Sequence, residues 1–178
     1  IPPDMQNHYL QLVSEETGRL ARLIQNMLDL SKLESGEYQV NARMFNIWET
    51  ITGVALSAEQ RINDGMIDID GLTMDEKVLV YADPDLIHQV AYNILDNAIK
   101  FSHHNSMIHI ESNLKHNKVF VSVKDNGIGI PKDQQERIFE RFFRVDKARS
   151  RSTGGTGLGL AIVKHVIANH RGAIKIWS

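Results

Sequence analysis

The chain has 178 residues, of which 42% are hydrophobic and 24% charged, with a formal net charge of −2 at pH 7. That is enough apolar material for one sizeable core, and the near-neutral balance gives no pointer to nucleic acid or to a membrane surface. Cysteine is absent, which excludes disulfides and thiolate metal sites; there is no bilayer-spanning apolar run and no signal peptide. The chain begins at Ile1 and stops at Ser178 directly after a strand-like segment, so it reads as a piece of something longer.

Residues 4–35 carry the longest helical pattern: Leu10, Val13, Thr17, Leu20, Ile24, Met27 and Ser31 recur at steps of three and four. Asp4 is the expected cap and Gly36 the expected stop. So apolar a helix wants a partner: it packs on its own domain or, as its length and its place before the domain favour, forms half of a helical hairpin or dimer bundle. "YQVNARMF" (38–45) reads as a strand, and residues 46–64 as one amphipathic helix opened by Asn46 and Glu49 in a capping box. "MIDID" and "VLVYAD" read as strands. Asp83-Pro84 opens a helix running to about Phe101. "MIHIESNL" and "VFVSVKD" alternate at period two across a "KHNK" hairpin. "PKDQQERIFERFF" (131–143) reads as a short helix, residues 144–155 as a basic mobile loop, 157–170 as the last helix and "GAIKIWS" as a last strand. Strands and helices interleave without strict alternation, which predicts one α+β unit with a mixed sheet and helices on a single face.

Three stretches could carry chemistry. Asn93, Asn97 and Lys100 fall at i, i+4 and i+7 on one helix face. One Asn there would be a solvated position, but the trio reads as the wall of a polar pocket, because amide oxygens can ligate Mg²⁺ and an ammonium can meet phosphate. "DNGIGIP" follows a strand: Asp125 can accept from an exocyclic amine such as adenine's. Gly127 and Gly129 would let a flat ring approach backbone, with Ile128 and Ile130 as an apolar bed. Alone, this stretch reads as a tight turn. "GGTGLGLAIVK" is neither a Walker A loop nor a dinucleotide fingerprint. Its Gly157 and Gly159 still open a helix, whose first N–H groups favour an anion, and the alternative is a flexible linker. The basic run Arg144, Lys147, Arg149 and Arg151 could close over that anion or be a solvated charge run. Taken together, the three stretches describe a nucleotide site.

At this point a resemblance becomes clear. "NILDNAIKFS", "DNGIGI", "ERIFERFFRVD" and "GGTGLGLAIVK" resemble, in order, the N, G1, F and G2 boxes of the catalytic ATP-binding part of bacterial sensor histidine kinases, with the Bergerat fold. "ETGRLARLIQNMLDLSKLESGE" is similar to the second helix of their dimerisation and phosphotransfer domain. The loop style looks most like the phosphate-regulon and cell-wall sensor kinases. The resemblance implies two regions, residues 1–36 and 37–178. It implies that Asn97 ligates Mg²⁺, that Asn93 contacts phosphates or metal and helps polarise the reacting groups, and that Lys100 binds phosphate. Phe101, where the family often has Tyr, would edge the adenine, and Asp125 would accept from its N6. Gly127, Ile128, Gly129, Ile130, Phe143, Gly155, Thr156, Gly157, Leu158, Gly159 and Leu160 would complete the nucleotide-binding set. Arg144 and the residues through 153 would form the ATP lid.

The implied reaction is transfer of the ATP γ-phosphoryl group to a histidine of a phosphoacceptor domain, for relay to an aspartate of a response regulator. The parent would be a homodimer anchored in the membrane, with this part in the cytoplasm. Two departures stand out. None of the eight histidines has the acceptor context of His-Glu followed by Leu-Arg-Thr-Pro, so no autophosphorylation is expected from this chain alone. The family also continues past the equivalent of Ser178 with a further loop and strand. Other Bergerat-fold proteins compete with this reading. Hydrolytic ATPases of the fold carry Glu where Asn93 stands, and the long helix does not suit a free-standing serine kinase. A degenerate docking module would keep the fold without nucleotide binding.

Overall fold

The computed structural model describes residues 1–72, 77–145 and 155–178. Helix α1 (Pro3–Ser35) starts behind Pro2 and ends at Gly36, which adopts φ 72°. Gly36 is therefore the expected stop. Asp4 lies inside the first turn rather than capping it, where its charge still suits the helix dipole. The N-terminal stretch of α1 is exposed, while Leu30 and Leu33 are buried.

Strand β1 (Arg43–Asn46) is shorter than the expected segment, because the backbone before it serves another purpose: Asn41 N–H donates to Asp83 Oδ2 at 3.0 Å. Asn46 does cap the next helix, its Oδ1 accepting from Trp48 N–H at 3.2 Å. The single helix expected over 46–64 is instead two, α2 (Ile47–Ser57) and α3 (Glu59–Asp64). Ser57 hydroxyl donates back to the Val54 carbonyl at 2.7 Å, and Ala58 N–H turns to Ala55 and Leu56. Such back-bonding bends helices and here accompanies the break.

Strands β2 (Asp68–Asp70) and β3 (Leu79–Ala82) precede α4 (Pro84–Phe101), and β4 (Met107–Lys115) and β5 (Lys118–Lys124) form the expected hairpin. Its two turn residues, His116 and Asn117, both have positive φ, as a right-twisted two-residue hairpin requires. The strands form not one sheet but two, a two-stranded β1-β3 and a mixed three-stranded β2-β4-β5. β1 runs antiparallel to β3, while β2 pairs parallel and β5 antiparallel to β4. Residues 131–143 form two 3-10 turns, Lys132–Gln134 and Arg137–Phe139, rather than one helix. Ile138 is the one buried side chain of these two turns, too small an apolar face to hold a longer helix in place. The last helix, α5, is Gly159–Asn169. After it, residues 173–178 keep the strand alternation, with Ile174 and Ile176 turned inward, but join no ladder. The final contact is with the loop after β5, where Ile130 N–H donates to Ser178 Oγ at 2.8 Å.

Two cores flank α4. One joins Trp48, Ile51 and Val54 of α2 and Leu95, Ala98 and Ile99 of α4 to Ile108 and Ile110 of the sheet. The other joins Leu30 and Leu33 of α1 and Leu86 and Val90 of α4 to Ala161, Ile162 and Val166 of α5. Helix α4 is thus fixed from two sides, and its remaining flank is where the polar stripe emerges.

Candidate functional site

The phase of α4 is set at its first turn. Asp83 is 2% exposed, and its Oδ1 accepts from the N–H groups of Asp85 (3.0 Å) and Leu86 (3.3 Å). Asp83 N–H in turn donates to His170 Nε2 at 3.0 Å, and His170 Nδ1 donates to the Val166 carbonyl at 2.8 Å. This pairing fixes the imidazole as the Nδ1–H tautomer and ties the start of α4 to the end of α5. With Leu86, Val90, Leu95, Ala98 and Ile99 turned into the cores, Asn93, Asn97 and Lys100 come out half-buried on the free flank.

Two members of that stripe meet the glycine loop. A Cβ on Gly159 would lie 2.9 Å from Asn93 Oδ1, so any other residue there would push that amide aside. Lys100 Nζ lies 3.9 Å from where a Cβ on Gly155 would stand. The ammonium also pairs with Asp96 Oδ2 at 2.7 Å, and Asp96 Oδ1 receives Arg61 Nη1 of α3 at 2.8 Å.

At the end of the same helix sits the loop after β5. Asp125 Oδ1 accepts from Gly127 N–H at 2.8 Å, and Asp125 is otherwise exposed. Gly127 forms a bridge with Ser102, and Ile128 N–H donates to the Phe101 carbonyl at 3.2 Å. A Cβ on Gly127 would overlap that carbonyl oxygen. Gly129 has φ 73° and turns the chain toward Ile130, whose N–H Ser178 holds.

The glycine loop is also stitched to the segment Phe142–Arg144. Phe142 N–H donates to the Gly157 carbonyl at 2.9 Å, and Arg144 Nη2 donates to the Gly155 carbonyl. Gly157 has φ 75° and a Cβ there would press on Phe142 Cα at 3.0 Å. From α1, Asn26 Nδ2 donates to Thr156 Oγ1 at 3.0 Å, and Leu158 N–H approaches the same oxygen at 3.4 Å.

The structure therefore gathers Asn93, Lys100, Phe101, Asp125, Gly127, Arg144 and the loop from Gly155 to Gly159 around one flank of α4. Two residues of the expected set have other occupations. The Leu158 side chain is 1% exposed in the second core, so only its backbone can serve the site. The Phe143 ring lies under the Arg137 guanidinium at 4.4 Å. Of the expected lid, residues 146–154, with Lys147, Arg149, Arg151 and Thr153, lie outside the described residues.

Several residues here escape a sequence reading. Asp96 could have been found from its i, i+4 spacing to Lys100. Arg61 and Asn26 lie far from their partners along the chain and leave no local signal. The same holds for Glu34, which bridges Arg141 and His165, the latter at 3.2 Å. Burial first, then the charges of Arg141 and Lys164, hold His165 below the ordinary histidine value. Tyr38 is pushed up by burial and then by Asp83, Asp85 and Asp29.

Among the described residues no group of three or more His, Asp or Glu could hold a metal ion. A cation here would rest on amide oxygens and on oxygens of its own ligand, a donor set that suits Mg²⁺ and phosphate. The backbone bared at Gly155 beside the Lys100 ammonium, with the Asn93 amide against Gly159, suits the phosphates themselves. No helix among the described residues is long and apolar enough to cross a membrane.

The family described as histidine kinase-, DNA gyrase B-, and HSP90-like ATPase matches residues 82–178. The sensor-like histidine kinase SenX3 of Mycolicibacterium smegmatis is 39% identical over 99% of this chain and 46% of its own length. Full-length ShkA, solved in complex with AMPPNP, superposes with TM-score 0.79 at 26% identity, covering 95% of this chain and 35% of ShkA. ThkA, solved in complex with the response regulator TrrA, superposes with TM-score 0.75 at 30% identity, covering 97% of this chain and 47% of ThkA. The chain thus spans less than half the length of these relatives.

Proposed function

The chain belongs to the histidine kinase-, DNA gyrase B-, and HSP90-like ATPase family, and from that premise we propose that it is the ATP-binding catalytic part of a sensor histidine kinase. The observation that carries the reading is the convergence of Asn93 on Gly159 and of Lys100 on Gly155, which puts an amide and an ammonium against a loop of bare backbone. Lys100, Arg144 and the backbone of residues 155–159 would hold the phosphates. Asn97 would ligate Mg²⁺, with Asn93 contacting metal or phosphate. Mg²⁺, when bound, would offset the charge of the phosphate oxygens during transfer. Asp125, with Oδ1 committed to Gly127 and Oδ2 open, would accept from the adenine amine beside Phe101 and the bed of Ile128 and Ile130.

The acceptor would be a histidine of a phosphoacceptor domain of the parent protein, and the phosphoryl group would pass on to a response regulator. The complex of ThkA with TrrA supports that order of partners. Residues 1–36 would belong to the dimerisation region and residues 37–178 to the ATP-binding domain. The exposed stripe of Leu10, Val13, Leu20, Ile24 and Met27 suits the partner helices of a homodimer. The parent would be anchored in the membrane with this part on the cytoplasmic side.

Calorimetric titration with ATP, with and without Mg²⁺, tests the reading. Saturable, Mg²⁺-sensitive binding is expected, and Asp125→Asn should weaken it about tenfold or more while leaving the melting temperature nearly unchanged. Failure of the intact chain to bind would overturn the reading. A large loss of melting temperature in the unliganded variant would overturn the role of Asp125.

A further inference from the structure

Lys100 is one turn after Asp96 on α4, and the two close to 2.7 Å between Nζ and Oδ2. The pair is sheltered, with side-chain exposures of 20% for Lys100 and 12% for Asp96. Acid before base at this spacing is the favourable order on a helix. Arg61 of α3 grips the other carboxylate oxygen at 2.8 Å, so Asp96 is held from both sides. Beyond the carboxylate, the tip of Lys100 faces Gly155.

A lysine on its own is a poorly oriented cation, because its four-carbon stem samples many rotamers and ordering them is entropically costly. Asp96 removes that freedom. An ammonium has three N–H donors, so it can keep its bond to Asp96 while donating to two further oxygens. We infer that Asp96 is a positioning residue for phosphate recognition. It fixes the Lys100 ammonium toward the glycine loop, with Arg61 as its outer anchor, and so sets the preference of the site for a phosphorylated nucleotide over the bare nucleoside. This rests on the nucleotide reading above.

The test compares ATP with adenosine, titrated separately into the intact chain, Asp96→Asn, Lys100→Met and the double variant, with thermal melts of each. Asp96→Asn is expected to weaken ATP about tenfold and leave adenosine unchanged, since adenosine has no group for Lys100 to meet. Added to Lys100→Met, it should cost nothing further, because it acts through that lysine. A merely structural role would weaken both ligands alike and persist in the Lys100→Met background; either result, or unchanged or tighter ATP binding in Asp96→Asn, overturns the inference. If Asp96→Asn folds poorly, Arg61→Gln keeps the Asp96–Lys100 pair and removes only its anchor. It should lower the ATP-to-adenosine preference about two- to threefold, and an unchanged preference would again overturn the inference. An intact chain that binds neither ligand defeats the nucleotide reading itself, which is a different result from an intact chain that binds both with Asp96 irrelevant.

Discussion

Glu34 stands at the last turn of α1 with Arg141 on one carboxylate oxygen and His165 Nε2 3.2 Å from the other. Burial, then Arg141 and Lys164, lower the pKa of His165, so folding disfavours its protonated form. An unfolded chain takes up that proton near pH 6.5, while the folded one resists until lower pH. Over that window the unfolded state binds more protons, and stability falls as pH falls; above it the group contributes no pH dependence. His165→Asn should therefore lose less melting temperature between pH 7 and pH 5 than the unaltered chain, and equal losses would contradict the assignment. Residues like this one were illegible beforehand. The sequence displays Asn93, Asn97, Lys100 and Asp125 through local spacing, because the helix and turn that hold them are local. Arg61 reaches Asp96 and Asn26 reaches Thr156 only through the tertiary fold.

At the scale of elements, α1 shows why period alone does not locate a docking face. Leu10 and Leu20 belong to the stripe at steps of three and four and are 67% and 56% exposed, whereas Leu30, which lies off that stripe, is 2% exposed. The docked part is the part that finds Val166 and its neighbours on α5. Leu30→Ala is expected to cost about 2–5 kcal/mol, as core truncations do, while Leu10→Ala should stay within about 0.5 kcal/mol. Denaturant unfolding followed by circular dichroism separates the two, and similar losses would refute the docking. Other boundaries failed for reasons equally local in cause but invisible in pattern. Ser57 bonding to Val54 accompanies a helix break that hydrophobic spacing would carry through. The Gly172–Ser178 stretch alternates like a strand yet closes on the loop after β5 instead of on a ladder.

Across the whole molecule, α4 is the shared wall of both cores, and the candidate site lies along the flank that neither core covers. The glycine loop at that flank is held by the Arg141–Arg144 segment on one side and by α1 on the other. Asn26→Ala removes the bond from α1 to Thr156. It should speed hydrogen exchange at the amides of residues 156–158 several-fold while leaving α4 unchanged. Unaltered exchange there would mean that the bond does not restrain the loop.

Asn26 lies well along a helix of 33 residues whose earlier part is exposed. At the rise of an α-helix, Pro3 is roughly 35 Å from Asn26. A tilt of about 5° around the docked end would then carry the far tip by roughly 3 Å. The geometry is that of a lever whose fulcrum is the docked end of α1, with the glycine loop on its short arm. A sub-ångström adjustment beside Thr156 becomes a displacement of ångströms at the opposite end of α1, and a push at that end arrives at the loop reduced in amplitude but increased in force.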